Sequence, residues 1–312
     1  MNKLAFVFAG QGSQYVGMGL DFHELNPDLA RLEEEANRIL GYPTKDVILS
    51  EEGFIHQTKY TQPLVLLSSI YAYESLHTLG VMPDAVLGFS LGEYSAYYAA
   101  GLFSFGEVLD IVKVRAMYMD EETLTHPGKM AAILGLTRDQ VETVCQEVGE
   151  GVYPANFNSP VQTVISGIED KIDLAIEKAK AMGAKRAIKL NVSGAFHSPL
   201  MQDAAQRFGA YILSKEVSKP RIAVYLNTTA KPLQVADLKS EMVKQMYSSV
   251  RFVEAILQMK NDGFTHFLEI GPGTVLSGLI KKIDPDLEVA HVERAHDIKD
   301  IEGWLKNHGF IK

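Results

Sequence analysis

Asp84-Ala85-Val86-Leu87-Gly88-Phe89-Ser90-Leu91-Gly92 is the stretch on which the fold turns. A short apolar run after Pro83 suits a buried strand. Residues 91–100 suit a helix, and Gly101 is a good stop for it. Between them lies G-x-S-x-G. A serine on a sharp strand-to-helix turn needs glycine on both sides, because the turn strains the backbone and neighbouring elements crowd in where a side chain would clash. The result is a serine hydroxyl exposed at a helix N-terminus. The five letters alone also describe a glycine-rich loop carrying an ordinary serine. The strand before them and the helix after them favour the elbow.

The surrounding pattern extends this reading. Residues 4–8 read as a strand, and 27–40, 63–79 and 105–122 as helices. Strands alternating with helices predict α/β layers around a parallel sheet. His126-Pro127-Gly128 breaks the alternation. Beyond it come a strand (130–135), a helix (137–148), two strands (152–157 and 163–166) around Asn158-Ser159-Pro160, a helix (168–182) and a strand (186–192). That βαββαβ order is ferredoxin-like. The α/β alternation then returns, with strands at 223–226, 266–270 and 288–292. The expectation is a large α/β domain over 1–126 and 198–312, interrupted by a small ferredoxin-like domain over 127–197.

The bulk properties narrow the function class. A chain of 312 residues with 46% hydrophobic and 22% charged residues can bury a sizeable core. A net charge of -9 argues against a general nucleic-acid binder. Cys145 is the only cysteine, which excludes an intrachain disulfide and a cysteine-rich zinc site. The apolar residues 4–9 are too short for a signal-peptide core, and no apolar run is long enough to span a membrane. A reducing cytoplasm is the expected location.

A serine hydroxyl needs a base to become a nucleophile. Of nine histidines, His197 stands apart, in the junction loop Ser193-Gly194-Ala195-Phe196-His197-Ser198-Pro199 between the small domain and the next helix. Catalytic groups favour such loops, but position alone leaves base and structural histidine open. Gly10-Gln11-Gly12-Ser13-Gln14 follows the first strand. It fits neither a phosphate loop nor a dinucleotide fingerprint. It reads either as an oxyanion donor or as a tight turn capping the next helix. Arg115 lies in the apolar helix Val112-Lys113-Val114-Arg115-Ala116-Met117. Such an arginine needs a partner: an internal salt bridge, or a substrate carboxylate.

Together these pieces resemble the malonyl-CoA:acyl-carrier-protein transacylases of type II fatty-acid synthesis, and the acyltransferase domains of polyketide synthases. The resemblance runs over nearly the whole chain. It rests on residues 8–14, Thr61-Gln62-Pro63, residues 88–95, Arg115, residues 156–160 and 164–167, Gly194-Ala195-Phe196-His197-Ser198-Pro199, Gln245-Met246-Tyr247 and residues 269–273. It implies an α/β-hydrolase-like large domain with an inserted ferredoxin-like small domain. It implies Ser90 as acylated nucleophile and His197 as base, then acid. The backbone N–H groups of Leu91 and Gln11 would form the oxyanion hole. Arg115 would pair with the malonyl carboxylate, and a backbone carbonyl of Gln245 would orient His197. Malonyl-CoA and acyl carrier protein are the implied partners, in a ping-pong reaction with no metal or redox cofactor.

One position departs from the family. Phe89 stands where a histidine commonly precedes the serine, so the polarity beside the acyl group differs. A serine esterase or thioesterase shares the elbow, but there the histidine usually comes late in the chain and Arg115 has no role for a neutral ester. A non-catalytic docking subunit would not need Ser90 and His197. A discrete polyketide acyltransferase would carry the same motifs. Carrier proteins of this pathway are acidic, so the resemblance further implies a local basic patch. Lys185, Arg186 and Lys189, or Lys281 and Lys282, are the candidates.

Overall fold

The computed structural model describes residues 2–192 and 194–312. Met1 and Ser193, the first residue of the junction loop, lie outside the described residues. The strands in chain order are β1 (Lys3–Phe8), β2 (Ala85–Gly88), β3 (Lys129–Leu134), β4 (Val152–Ser159), β5 (Gln162–Gly167), β6 (Arg186–Lys189), β7 (Ala223–Tyr225), β8 (Phe264–Ile270) and β9 (Glu288–Val292). They form two sheets. One is five-stranded, in the order β7-β2-β1-β8-β9, and every pairing in it is parallel. The other is four-stranded, in the order β4-β5-β3-β6, and every pairing is antiparallel.

β1 is central in its sheet, which explains its unbroken apolar run: both faces are covered. Leu4, Phe6 and Phe8 point into the core built with the helices Thr58–His77 and Phe105–Thr125. Ala5 and Val7 point the other way, into a core with Phe252–Asn261 and Val275–Ile283. The four-stranded sheet buries Ala131, Ile133 and Ile165 under the helices Arg138–Val148 and Glu169–Ala181. Met130, Ala132 and Val164, on its opposite face, join the main core. The fold is therefore an α/β-hydrolase-like part with a parallel sheet, plus an inserted ferredoxin-like part. The small sheet's free face turns toward the large part, and the site lies between them.

Three of the differences from expectation have a plain physical cause. The helix expected over 63–79 starts earlier, at Thr58, and carries Pro63 inside it. The missing N–H leaves one carbonyl without its helical donor. Every residue from Thr61 to Tyr73 is buried, and the Thr61 hydroxyl donates to the carbonyls of Ile55 and Gln57, so packing overrides the proline. The turn expected at Asn158-Ser159-Pro160 is tighter: β4 runs to Ser159 and β5 starts at Gln162, leaving Pro160 and Val161. The strand expected over 186–192 ends at Lys189, because it is an edge strand with mostly exposed side chains.

The β2-to-helix turn leaves no room for a side chain at either glycine. A Cβ on Gly88 would lie 1.9 Å from the backbone carbon of Gly92, and one on Gly92 would lie 2.2 Å from the carbonyl oxygen of Phe8. Neither neighbour is a flexible side-chain end, so the clash cannot relax locally. Gly88→Ala is expected to destabilise the protein by about 3 kcal/mol or more, the upper range for overpacking. Urea unfolding midpoints test this, and a midpoint equal to that of the unaltered protein would contradict it.

Candidate active site

Ser90 adopts φ 52°, a left-handed conformation rare outside glycine. The turn is pinned on both sides, by Phe89 N–H donating to Phe8 C=O (3.0 Å) and Gly92 N–H to Phe89 C=O (2.9 Å). The helix Gly92–Ala99 starts immediately after it. In this conformation Ser90 Oγ lies 2.7 Å from His197 Nε2.

His197 is held by the end of a helix. Leu238–Tyr247 finishes with carbonyls that have no helical donor. His197 fills three of the exits around that end. Its backbone N–H donates to Met246 C=O (3.1 Å), and its Nδ1 lies 2.8 Å from Gln245 C=O and 3.1 Å from Ser248 C=O. A nitrogen facing two carbonyls must carry the proton. Nε2 is then bare and accepts from the Ser90 hydroxyl. Among the described residues, no carboxylate takes part. Burial draws the His197 pKa down from 6.5 to about 4, and the Arg115 charge acts in the same direction.

Arg115 is buried, yet among the described residues it forms no ion pair. Nη1 donates to Gln62 Oε1 (2.6 Å) and Nη2 to Gln245 Oε1 (3.0 Å), while Nε has no partner. Its guanidinium carbon lies 5.3 Å from the centre of the Tyr94 ring. The internal salt bridge allowed by the sequence is therefore not what the fold builds. Arg115 stands behind Gln62, which lines the cleft. Gln245 has a second task, since its Nε2 donates to Ser90 C=O (2.9 Å). One glutamine thus touches Ser90, His197 and Arg115.

Gln11 lines the same cleft, but its side chain turns away, donating to Thr58 Oγ1 (3.2 Å) and accepting from Gln62 (3.3 Å). The turn around it closes on itself, with Ser13 Oγ donating to Gly10 C=O, and the next helical element begins only at Leu20. It therefore does not cap a helix. Among the described residues, no acceptor takes the backbone N–H of Gln11 or of Leu91. Gly10 permits the approach: a Cβ there would lie 2.4 Å from Phe89 O. Phe89 packs edge-on against Phe252, 5.4 Å between centres, and gives the cleft an apolar wall. The cleft opens to solvent, with about 940 Å³ of empty space counted out through its mouth. Its other walls include Met130 and Val164 of the small sheet and Val275 and Leu279 of the large part.

Four participants escaped the sequence reading: Gln62 in any role beyond its motif, Ser248, Asn227 and Glu93. Only Gln62 and Glu93 lay within quoted motifs. Asn227 and Ser248 carry no local signal. Of the basic residues proposed to meet a carrier, Lys189 is taken up by Glu169 and Asp173, so it adds little positive field.

Residues 5–299 match the family described as an acyl transferase domain, and the chain belongs to that family. Within it, the chain is similar to malonyl CoA-acyl carrier protein transacylases. The chain is 39% identical over 312 residues to the malonyl CoA-acyl carrier protein transacylase of Staphylococcus aureus strain MW2, covering 98% of this chain and 100% of that one. It is 41% identical over 306 residues to the protein of the same name from Bacillus subtilis strain 168, covering 96% of each. The crystal structure of MCAT from Streptococcus pneumoniae superposes with a TM-score of 0.92 at 40% identity, over 97% of this chain and 100% of that one. A malonyl-transacylase solved with a type II PKS acyl-carrier protein gives 0.93 at 34% identity, over 97% and 99%.

The histidine geometry sets a pH dependence. His197 can accept the serine proton only when neutral. Reactivity of Ser90 toward an acylating probe should therefore persist as pH falls through 6.5 and be lost only as pH nears about 4. The stability sign follows. The unfolded histidine takes up its proton near 6.5 and the folded one resists until about 4. This group's contribution is full above 6.5 and is lost as pH falls across that window. An acid limb at the ordinary histidine value in the rate of Ser90 labelling would contradict the assignment.

Proposed function

We propose that this chain transfers the malonyl group of malonyl-CoA to the phosphopantetheine thiol of acyl carrier protein, through a malonyl ester on Ser90, and so supplies fatty-acid elongation. The observation that carries the reading is the contact of Ser90 Oγ with the bare nitrogen of a carbonyl-held His197, beside a buried arginine bonded only to amides. His197 takes the hydroxyl proton as Ser90 attacks the thioester carbonyl. The N–H groups of Leu91 and Gln11 receive the oxyanion. The tetrahedral intermediate expels the CoA thiolate, which takes the proton from His197. In the second half the carrier thiol gives its proton to His197 and attacks the ester, and Ser90 leaves with that proton. Atoms and charges balance without an oxidant or a metal.

Arg115 receives the free malonyl carboxylate in place of the Gln62 carbonyl. An anion replaces a neutral dipole in a dry site, which favours the substrate that carries one. Water as acceptor would make the chain a thioesterase. The similarity to a transacylase solved with its carrier supports the thiol instead. We read the large domain as 1–126 with 198–312 and the small domain as 127–197. Among the described residues no helix is long and apolar enough to cross a membrane, and we place the protein in the cytoplasm, where malonyl-CoA and carrier would meet it.

Brief exposure to malonyl-CoA should add one malonyl mass to the protein, on the peptide holding Ser90. Ser90→Ala should keep its thermal transition and lose the adduct. An adduct that survives on the variant would place the nucleophile elsewhere.

Arg115→Ala should change acyl preference rather than merely inactivate. Malonyl transfer loses its counter-charge, while acetyl, with no second carboxylate, loses nothing and escapes an unpaired buried charge. The malonyl-to-acetyl ratio of kcat/KM is expected to fall by about 10²-fold or more, the scale of one buried charged hydrogen-bonded pair. Equal losses for both acyl groups would make Arg115 a structural residue.

A further inference from the structure

β7 stops at Tyr225, and its pairing with β2 stops at Leu87. Continuing that register by two residues sets Asn227 beside Phe89. In a parallel ladder the residue opposite Phe89 would give its N–H to the carbonyl before it, Gly88, and take the N–H after it, Ser90. Asn227 makes those two bonds, but with its side chain. Nδ2 donates to Gly88 C=O at 2.6 Å, and Oδ1 accepts from Ser90 N–H at 2.6 Å. The opposite amide orientation would set N–H against N–H and carbonyl against carbonyl, so the assignment is forced. The backbone N–H of Asn227 goes instead to Glu93 Oε2 (2.7 Å), and Glu93 Oε1 takes the Tyr97 hydroxyl (2.5 Å). Asn227 and Glu93 are each about 1% exposed.

We propose that Asn227 is a positioning residue for the nucleophile: its side-chain amide replaces one peptide unit of the parallel ladder at the point where Ser90 turns left-handed, and so aims Oγ at His197. The backbone of Asn227 does not do this, because its N–H is taken by Glu93 and its C=O by the Arg251 N–H. The amide also occupies the Ser90 N–H. That leaves the N–H groups of Leu91 and Gln11 for an oxyanion. Glu93 fixes the amide from behind, through the backbone of the same residue. Asn227 is absent from the cleft lining, so a substrate would not meet it.

The inference rests on the reading of Ser90 as the acylated residue. The test is single-turnover acylation of Ser90 by malonyl-CoA, scaled to the folded fraction measured by circular dichroism, in the unaltered protein, Asn227→Ala and Asn227→Asp. Asn227→Ala loses both bonds. Its maximal acylation rate should fall about 10²-fold, the scale expected when a reacting group is misaimed by about 1 Å. Asn227→Asp keeps the shape and the acceptor for Ser90 N–H, but sets a carboxyl oxygen against Gly88 C=O in place of the donor. It should recover part of the loss and stay about tenfold slow or slower, since a hydrogen bond is lost and a repulsion takes its place. In both, the malonyl-CoA concentration giving half the maximal rate should not change, since no substrate contact is lost. A merely structural asparagine would lower the melting temperature and leave the rate per folded molecule intact. That result, in either variant, would overturn the proposal, as would a loss confined to the half-saturating concentration. If instead the unaltered protein formed no adduct on Ser90, the functional reading would fail, not the geometry of Asn227.

Discussion

The left-handed turn at Ser90 is the constraint around which the rest of this structure is arranged. A non-glycine residue held there costs about 1–3 kcal/mol and persists only where its surroundings over-determine it. Glycine would remove the strain and the hydroxyl with it. The surroundings supply the over-determination. Gly88 and Gly92 let β2, its helix and β1 close to distances that admit no Cβ, and Gly10 lets the first loop lie against the Phe89 carbonyl. Hydrogen bonds from Phe89 and Gly92 fix the turn on its inner side, and Asn227 fixes it on its outer side. The parallel sheet is what makes this possible, because it brings the ends of β1, β2 and β7 to one edge.

A second economy lies in Gln245. Its carbonyl faces His197 Nδ1, its side-chain oxygen accepts from Arg115, and its amide nitrogen donates to Ser90 C=O. The last turn of one helix therefore sets the spacing of three groups that come from distant parts of the chain. A buried guanidinium held by amides is poorly compensated. Burial pulls its pKa down, and Tyr94 and Glu93 oppose that pull. An arginine in this state gains when a carboxylate arrives, whereas one already in a salt bridge would have to break it first.

Much of this was legible in the order of residues. The strands of both sheets follow from the order of apolar runs and helices, because β1 and β2 are buried on both faces and the βαββαβ order is local. β9 matches its expected span to the residue. Ser90 was readable because the elbow demands glycines at fixed offsets. His197 and Arg115 were readable only as alternatives, since their meaning depends on partners 107 and 130 residues away in the chain. Asn227 was invisible, because a side chain imitating a peptide leaves no spacing rule. Pro63 misled the helix start, because a proline reads as a first-turn residue and the burial that overrides it is tertiary.

The absence of an acid behind His197 fits the substrate proposed here. An aspartate would add a full negative charge near the place where a malonyl carboxylate has to bind. Helix-terminal carbonyls orient the same nitrogen with only partial charge, and they favour an imidazolium once one forms. Burial holds the histidine pKa down, and the field of the Arg115 charge adds to that. A carboxylate bound to Arg115 cancels that field, so the histidine pKa would rise when a malonyl group is present and remain low when an acyl group without a carboxylate occupies the cleft. Selectivity would then reside in the base as well as in the clamp. On this reading Arg115, proposed to bind the carboxylate, would also strengthen His197 as the proposed base for Ser90, and an acetyl group would meet both a charge without a partner and a poorer base.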